Sequence, residues 1–339
     1  MPDRPLPVIA PAPRGWLHDF GGKTIAVTGA AGFLGGRLVN RLAALPCRIV
    51  RVARTAPLPF DVAPAATVVD LAGDVGDLAV WDSALQDADV VFHFAGQTSG
   101  VAAAENPAWD FDANVAPMRH LLLTCRRLRR RPMVMFAGTV TQAGIPLRLP
   151  VDEEAPDHPV TIYDRHKLMA EDDLKAAASD GTVCGATLRL ANVYGPGGHG
   201  RNKDRDVLNR MITVALRGEP LTVYGAGDYV RDYVFVEDVV DAFLMAAARP
   251  ERVNGRHYVV GSGRGVTIRD AFELVAARVG LRTGTRVPVI TAEPVTALSA
   301  IEQRHFVADP SRMSAATGWR PAWSLTDGID RTIEAQRCD

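Results

Sequence analysis

A glycine-rich turn near the start of the chain constrains its fold most. Residues 28–35 (TGAAGFLG) follow a short β-branched run, and an amphipathic helical pattern begins within them. Glycines allow a tight turn after a strand, and the free N–H groups at the following helix N-terminus bind a pyrophosphate. The sequence therefore predicts a strand–turn–helix unit that binds a dinucleotide through Gly29, Ala31, Gly32, Phe33 and Leu34.

Apolar runs of strand length alternate with longer helical patterns after this turn. We predict strands at 24–27, 48–52, 67–69, 90–94, 133–136 and 184–189, and helices at 33–45, 81–85, 109–129 and 163–178. Such alternation is typical of βαβ units that build a parallel sheet. The predicted fold class is α/β, a Rossmann-type doubly wound parallel sheet with a smaller mixed α/β substrate-binding domain.

The regular alternation stops after residue 190, where a glycine-rich loop spans 195–200. We therefore predict a dinucleotide-binding domain at 23–190 that also receives 234–260. The substrate-binding domain is expected at 191–233 and 261–339. Residues 1–22 contain five prolines and no continuous apolar stretch, so an extended tail rather than a signal peptide is expected there.

Charge and cysteine content exclude several classes of function. Lys and Arg total 38 against 39 Asp and Glu, so no overall field attracts nucleic acid or a membrane surface. Cys47, Cys125, Cys184 and Cys338 lack the spacing of a metal site, and we expect reduced thiols and no metal. No apolar run approaches the ~20 residues that span a bilayer. A cytoplasmic protein is expected.

The end of the second strand predicts which cofactor is bound. In dinucleotide-binding folds an acid at this point binds the ribose 2′-hydroxyl, whereas an arginine accommodates a 2′-phosphate. Residues 49–55 (IVRVART) contain no acid. We predict NADP(H), with Arg54 as the phosphate partner and Arg51 as the reserve, and NAD(H) as the alternative.

Two further strand ends predict cofactor contacts. Asp74 follows the third strand and is expected to accept from the adenine amine, while the backbone N–H of Val75 meets a ring nitrogen; the alternative for Asp74 is a helix N-cap. The fourth strand ends in Phe94, Ala95 and Gly96, where small residues allow a flat cofactor to cross the sheet edge.

A phenol and an ammonium lie four residues apart in the segment YDRHK. On a helix this spacing places Tyr163 and Lys167 on one face. A neighbouring cation lowers the pKa of a phenol from about 10, which allows it to act as a general acid or base near neutrality. We therefore predict a proton-transfer pair.

Together these motifs resemble the extended short-chain dehydrogenase/reductases, a family of nucleotide-sugar epimerases, dehydratases and ketoreductases. The resemblance rests on TGxxGxxG, a Ser or Thr at the end of strand five and YxxxK, and it runs from residue 23 to about residue 334. It implies that Thr139, five residues before Gly144, donates to the substrate carbonyl or alkoxide beside Tyr163, with Thr141 as the less favoured candidate for this role. Gln142-Ala143 replaces the family's Val-Tyr pair.

The second half carries further resemblance. Residues 189–196 resemble RxxNVYGP, which implies that Asn192 contacts the substrate pyrophosphate. Residues 221–225 and 231–236 resemble the segment for base and phosphate, which implies Val223 at the base and Arg231 at the diphosphate. The alternative for Arg231 is a structural pair with Asp232 or Asp238. Val259 replaces a family asparagine, so any contact of that asparagine is absent or supplied elsewhere.

The resemblance also narrows the reaction. Dehydratases of the family carry Asp-Glu directly after the Thr, and decarboxylases carry a glutamate there; here Val140-Thr141 stands in those places. A 4-ketoreductase and a 4-epimerase remain, and the missing acid at Ala53 favours the NADPH-consuming reductase. The segment 201–225 also resembles bacterial deoxysugar 4-ketoreductases. We expect reduction of a dTDP-4-keto-6-deoxyhexose in deoxysugar and antibiotic biosynthesis.

Two further expectations follow from the resemblance. A non-catalytic NADP(H)-sensing relative is the alternative outside enzymes, and the complete set of Thr139, Tyr163 and Lys167 argues against it. The segments 109–129 and 163–178 resemble the helices that form a four-helix dimer interface in relatives. We therefore expect a homodimer, with a nucleotide-diphosphate sugar as the only other partner.

Overall fold

The computed structural model describes residues 15–57, 59–60, 63–197, 207–294 and 300–338. In these ranges the strands are β1 (Thr24–Thr28), β2 (Arg48–Ala53), β3 (Thr67–Ala72), β4 (Val90–His93), β5 (Met133–Thr139), β6 (Cys184–Leu190), β7 (Asn192–Tyr194), β8 (Leu221–Tyr224), β9 (Val230–Phe235), β10 (Arg256–Val260), β11 (Gly265–Thr267) and β12 (Val289–Ala292).

The helices of the same ranges are α1 (Phe33–Ala43), α2 (Leu78–Leu85), α3 (Gly100–Glu105), α4 (Pro107–Asn114), α5 (Ala116–Leu128), α6 (Ile162–Ser179), α7 (Val207–Leu216), α8 (Val236–Ala247), α9 (Pro250–Val253), α10 (Ile268–Thr283), α11 (Ala300–Gln303), α12 (Ser311–Thr317) and α13 (Leu325–Cys338). Two 3-10 helices span Gly15–Phe20 and Val140–Ala143.

The largest sheet has seven strands in the order β10-β6-β5-β4-β1-β2-β3, and every neighbouring pair is parallel. All six predicted strands lie in it, and β10 is added from the second half of the chain. This confirms the predicted fold class. Smaller sheets, β11-β9-β7 and β12-β8, lie in the second half. The predicted domain boundaries stay a prediction.

Helices cover both faces of the large sheet, because alternate residues of each parallel strand point to opposite sides. On one face Ile25 packs with Leu38 of α1 and Phe243 of α8. On the other face Ala26 packs with Trp81 of α2 and Leu174 of α6. A third core joins α7, α10 and α13 to the smaller sheets.

Three segments differ from the sequence-based expectation. The predicted extended tail ends in the 3-10 helix Gly15–Phe20, whose Phe20 is fully buried; residues 1–14 lie outside the described residues. The single helix expected at 109–129 is broken between α4 and α5, since Pro117 has no N–H to continue the α4 ladder. Phe306 and Trp319, expected in the substrate-binding domain, pack in the core of the large sheet.

Candidate active site

The glycine turn forms a cradle at the carboxyl end of β1. Gly29 has a φ of +66°, and a Cβ there would lie 2.9 Å from the backbone nitrogen of Ala95. Gly32 is the N-cap of α1 and offers no side chain to its N–H groups. Ala31, Phe33 and Leu34, also predicted at the cofactor, are only partly buried here. The open N–H groups and the missing side chains fit a dinucleotide pyrophosphate.

The end of β4 is hydrogen-bonded to the buried hydroxyl of Thr28, directly before this turn. Thr28 Oγ1 accepts from the backbone N–H groups of Phe94 and Ala95, both at 3.1 Å. Its own proton is therefore free for Nδ1 of His93 at 2.8 Å. Burial, with a smaller contribution from Lys167, lowers the pKa of His93 to about 3, so this imidazole is neutral. The predicted strand end thus has a fixed position beside the cradle.

The structure brings Arg54 and Asp74 together at the ends of β2 and β3. Arg54 Nη1 lies 3.7 Å from Asp74 Oδ2, and both side chains are more than half exposed. Arg51 is different: it is buried, and its Nε donates to Asp70 Oδ1 at 2.6 Å. Its guanidinium also lies 4.7 Å from the ring centre of Phe60. The prediction of Arg51 as the reserve partner of the 2′-phosphate is therefore wrong, because its charge is paired with Asp70 inside the fold.

The turn after β3 does not use Asp74 as the helix cap. Asp74 accepts from the N–H of Gly76 at 2.8 Å, whereas Asp77 caps α2. Val75 is buried, and its carbonyl accepts from Trp81 Nε1 at 2.7 Å. Asp74 thus remains more than half exposed at the same sheet edge as Arg54.

Tyr163 and Lys167 lie on the first turns of α6, four residues apart as predicted. Lys167 is buried, and its Nζ lies 4.1 Å from the ring centre of Phe136 on β5. Burial lowers the pKa of Lys167 to about 7, although the carboxylates of Asp110 and Glu171 oppose the shift. This ammonium can therefore lose and regain its proton near neutrality.

The phenol of Tyr163 has the opposite shift from the one predicted. Burial raises its pKa, and the carboxylates of Asp164 and Asp110 raise it further. The expectation that Lys167 lowers this pKa is therefore wrong for the chain by itself. Desolvation of the phenolate and two nearby negative charges outweigh one buried ammonium. Tyr163 stays protonated, which suits a proton donor.

Thr139 ends β5 and begins a chain of hydroxyl groups. Its Oγ1 lies 2.9 Å from Oγ1 of Thr141, and Thr141 in turn donates to the buried carboxylate of Asp164. The same carboxylate accepts from the backbone N–H of Thr161 at 3.1 Å in a capping box that begins α6. Thr139 on β5 is thus linked through Thr141 to Asp164 on α6, the residue after Tyr163. Asp164 was not among the predicted site residues, and Thr141 was only the less favoured candidate for the role of Thr139.

A buried ionic cluster fixes β5, β6 and α6 relative to one another. Glu171 is fully buried and accepts from Arg189 Nη2 at 2.7 Å and from Gln142 Nε2 at 3.0 Å. Gln142 Oε1 also accepts from the N–H of Thr139 at 3.0 Å. Although burial raises the pKa of Glu171, the hydrogen bonds and charge of Arg189 dominate and lower it to about 2. Arg189 was visible in sequence only as the first residue of the RxxNVYGP resemblance.

A second buried carboxylate supports the other side of α6. Asp110 on α4 is fully buried; Oδ2 lies 2.6 Å from Nδ1 of His166, and Oδ1 accepts from Gln97 at 2.6 Å and Asn114 at 3.1 Å. A Cβ on Gly96 would lie 2.7 Å from Asn114 Oδ1, so only glycine fits there. Sequence reasoning missed this cluster, and its one local signal was the histidine beside Lys167.

Two arginines face each other in the second half of the chain. Arg231 donates to the backbone carbonyls of Glu302 and Arg304, so neither Asp232 nor Asp238 is its partner. The carboxylates of Asp232 and Asp238 accept backbone N–H groups elsewhere, from Ser262 and Trp323 among others.

Arg304 is buried, and in the described part of the chain its Nε and Nη1 have no hydrogen-bond acceptor. Burial and the charge of Arg231 lower the pKa of Arg304 to about 10, while Asp164 opposes this shift. An anion between Arg231 and the proton-transfer residues would satisfy these donors. Sequence reasoning missed Arg304.

The two remaining predicted substrate residues, Asn192 and Val223, differ in exposure. Asn192 on β7 is partly exposed and pairs in register with Tyr233 of β9. Val223 on β8 is fully buried and pairs in register with Thr291 of β12. Most of the 201–209 segment lies outside the described residues. In the described ranges no helix is long and apolar enough to cross a membrane, and no His, Cys, Asp or Glu cluster of metal-binding type occurs.

Comparison with known proteins shows the family of the chain. The family model described as "NAD dependent epimerase/dehydratase family" matches residues 25–261. The chain belongs to this family. It is 28% identical over 323 residues to the UDP-glucose 4-epimerase of Azospirillum brasilense, covering 91% of this chain and 90% of that one.

Two further relatives cover almost the whole chain. The dTDP-6-deoxy-L-talose 4-dehydrogenase (NAD(P)(+)) of Kitasatospora kifunensis is 30% identical over 328 residues, covering 92% and 95% of the two chains. A solved structure of the Thermotoga maritima UDP-glucose 4-epimerase with UDP-glucose superposes with a TM-score of 0.81 at 27% identity, over 93% and 99% of the chains. The protein is thus an enzyme of the extended short-chain dehydrogenase/reductase type.

Proposed function

We propose that this enzyme uses NADPH to reduce the C4 ketone of a dTDP-4-keto-6-deoxyhexose in deoxysugar biosynthesis. The observation that carries the cofactor assignment is at the end of β2. No acid stands there to bind a ribose hydroxyl, and the guanidinium of Arg54 is 75% exposed beside Asp74. An exposed arginine at this position accommodates a 2′-phosphate.

The proton-transfer residues support the reductive direction. A bound nicotinamide dinucleotide supplies the hydride. Tyr163 donates its phenolic proton to the substrate oxygen at C4, and its raised pKa keeps that proton in place until an alkoxide develops. Lys167, with a pKa of about 7, exchanges its proton near neutrality and restores the phenol afterwards. Thr139, at the end of β5, contacts the same oxygen once it has become the 4-hydroxyl of the product.

Charge in the second half supports a diphosphate-linked substrate. Among the residues that the structure describes, Arg304 Nε and Nη1 have no acceptor, and Arg231 lies close enough to lower the pKa of Arg304. Burying a charge without a partner is unfavourable by several kcal/mol, so a ligand that brings negative charge stabilises this arrangement. We assign the diphosphate to Arg231 and Arg304, with the partly exposed Asn192 as a further contact.

A 4-epimerase is the second candidate. UDP-glucose 4-epimerases are among the relatives that cover about nine-tenths of the chain. An epimerase oxidises C4 and then reduces it again, and the same Tyr163 and Lys167 serve both steps. It needs a phenolate first, which the raised pKa of Tyr163 disfavours in the chain by itself.

One experiment separates the candidates. The protein is mixed with NADPH and dTDP-4-keto-6-deoxyglucose, and the nicotinamide absorbance is followed; NADH replaces NADPH in a parallel run. The proposal expects a stoichiometric loss of absorbance that is faster with NADPH. Interconversion of UDP-glucose and UDP-galactose without net loss would instead identify the epimerase. Tight NADPH binding with neither reaction would support the non-catalytic alternative.

We also propose that the enzyme is a homodimer formed through α5 and α6. Leu123 on α5 is 50% exposed, and Met169 on α6 and Trp109 on α4 are also exposed. These side chains extend an apolar surface over adjacent helices, which is typical of a helical dimer interface.

A further inference from the structure

The hydroxyl chain from Thr139 to Asp164 has a direction. Thr141 Oγ1 donates to Oδ1 of Asp164, since the hydroxyl carries the proton and the carboxylate oxygen accepts it. Thr141 has a single hydroxyl proton, so it has none left for Thr139. The 2.9 Å contact between the two hydroxyl oxygens must therefore be a hydrogen bond from Thr139 to Thr141.

This direction determines what Thr139 offers to a ligand. Its proton is used toward Thr141, and its oxygen already accepts from the backbone N–H of Thr141 at 3.3 Å. One lone pair remains. The carboxylate that orients the chain accepts from the Thr161 N–H and is 2% exposed.

We propose that Asp164, acting through Thr141, makes Thr139 a hydrogen-bond acceptor toward the oxygen at C4 of the sugar. The inference rests on the proposed function. Thr139 then binds the 4-hydroxyl form, whose O–H can donate to it, and the 4-keto form receives its hydrogen bond from Tyr163 alone. This replaces the expectation that Thr139 donates to the carbonyl. Asp164 is a positioning residue and Thr141 is its link.

The variant Asp164→Asn reverses the chain with little change in shape. The amide oxygen can still accept from the Thr161 N–H, while the amide N–H₂ donates to Thr141. Thr141 then donates to Thr139, whose own proton becomes available to a ketone oxygen. Thr141→Val removes the link and frees the Thr139 proton in a second way. Thr141→Ser keeps the chain and is the matched control.

The test measures affinity by calorimetry without cofactor, so that no turnover occurs. The ligands are dTDP-4-keto-6-deoxyglucose, the corresponding dTDP-6-deoxyglucose with a 4-hydroxyl, and dTDP. One neutral hydrogen bond corresponds to about a 2–10-fold change in affinity. We expect Asp164→Asn and Thr141→Val to weaken the 4-hydroxy ligand and strengthen the 4-keto ligand by about this factor. Thr141→Ser and the affinity for dTDP stay as in the wild type.

Opposite changes for the two sugar forms cannot arise from general damage to the site, which weakens both. Parallel losses for both sugar nucleotides, or no change for either, overturn the role of Asp164 while leaving the proposed function intact. If the wild type binds neither sugar nucleotide more tightly than dTDP, the proposed function fails, and this inference fails with it.

Discussion

Removal of the Arg54 guanidinium should change the cofactor preference and little else. Arg54→Ala removes the charge that we assign to the 2′-phosphate. A hydrogen bond to a charged group contributes about 1.5–3 kcal/mol, but this side chain is 75% exposed and must leave Asp74, 3.7 Å away. An exposed ion pair of that kind is worth about 0–1 kcal/mol. The net loss for NADPH is therefore about 1–2 kcal/mol, or about 5–30-fold in affinity.

The assay is quenching of protein fluorescence or calorimetry with NADPH and NADH at two salt concentrations. We expect NADPH affinity to fall in Arg54→Ala while NADH affinity stays constant, because NADH lacks the phosphate. The salt dependence that distinguishes NADPH from NADH should also shrink. Arg126→Ala is the matched control, since Arg126 is exposed and paired with Asp180 at 2.9 Å on a remote helix. Equal losses for both cofactors, or none, would refute the assignment.

Three other predictions concern a proton, a buried pair and an interface. The chain has four lysines, so NMR of the lysine side chains should resolve one that titrates near pH 7 and vanishes in Lys167→Met; four ordinary lysine titrations would contradict the burial argument. Glu171→Gln should lower the free energy of unfolding by about 1.5–3 kcal/mol, because Arg189 loses the charge of Glu171 and keeps only Asp157, and Asp173→Asn in an exposed pair should lower it by less than about 1 kcal/mol. Since the pKa of Glu171 lies below its ordinary value, its contribution is complete above pH 4.5 and disappears as pH falls toward 2; a pH-independent difference between wild type and Glu171→Gln would count against this. Leu123→Glu should convert a dimer to a monomer in light scattering, whereas Leu281→Glu should not; a wild-type monomer would end the dimer proposal.

The large sheet could be predicted because its signals are local. The central strands are buried on both faces and form apolar runs, such as 90–92, and the predicted strands are separated by turns and helical patterns. The strand ends that carry Gly29, Asp74 and Thr139 therefore lie along one edge, as the alternation predicts. The placement of Tyr163 and Lys167 on one face could also be predicted, because both residues lie on the same helix, α6.

Features that depend on distant contacts were not predictable in the same way. Arg51 and Arg54 lie three residues apart in one short segment and look equivalent in the sequence. They differ because Arg51 pairs with Asp70 on the neighbouring strand β3. The pKa of Tyr163 depends on burial and on Asp110, more than 50 residues away. Arg304 is a candidate anion-binding residue because it is buried close to Arg231, and no spacing in the sequence predicts that proximity.

The transfer of a deuteride to the sugar tests the central claim most directly. NADPH with both hydrogens at C4 of the nicotinamide replaced by deuterium is incubated with dTDP-4-keto-6-deoxyglucose and the enzyme, and the product is examined by NMR and mass spectrometry. We expect one deuterium at C4 of the sugar, and no labelled product from a folded Tyr163→Phe variant that still binds NADPH. An unlabelled sugar, or a Tyr163→Phe variant as active as the wild type, would contradict it.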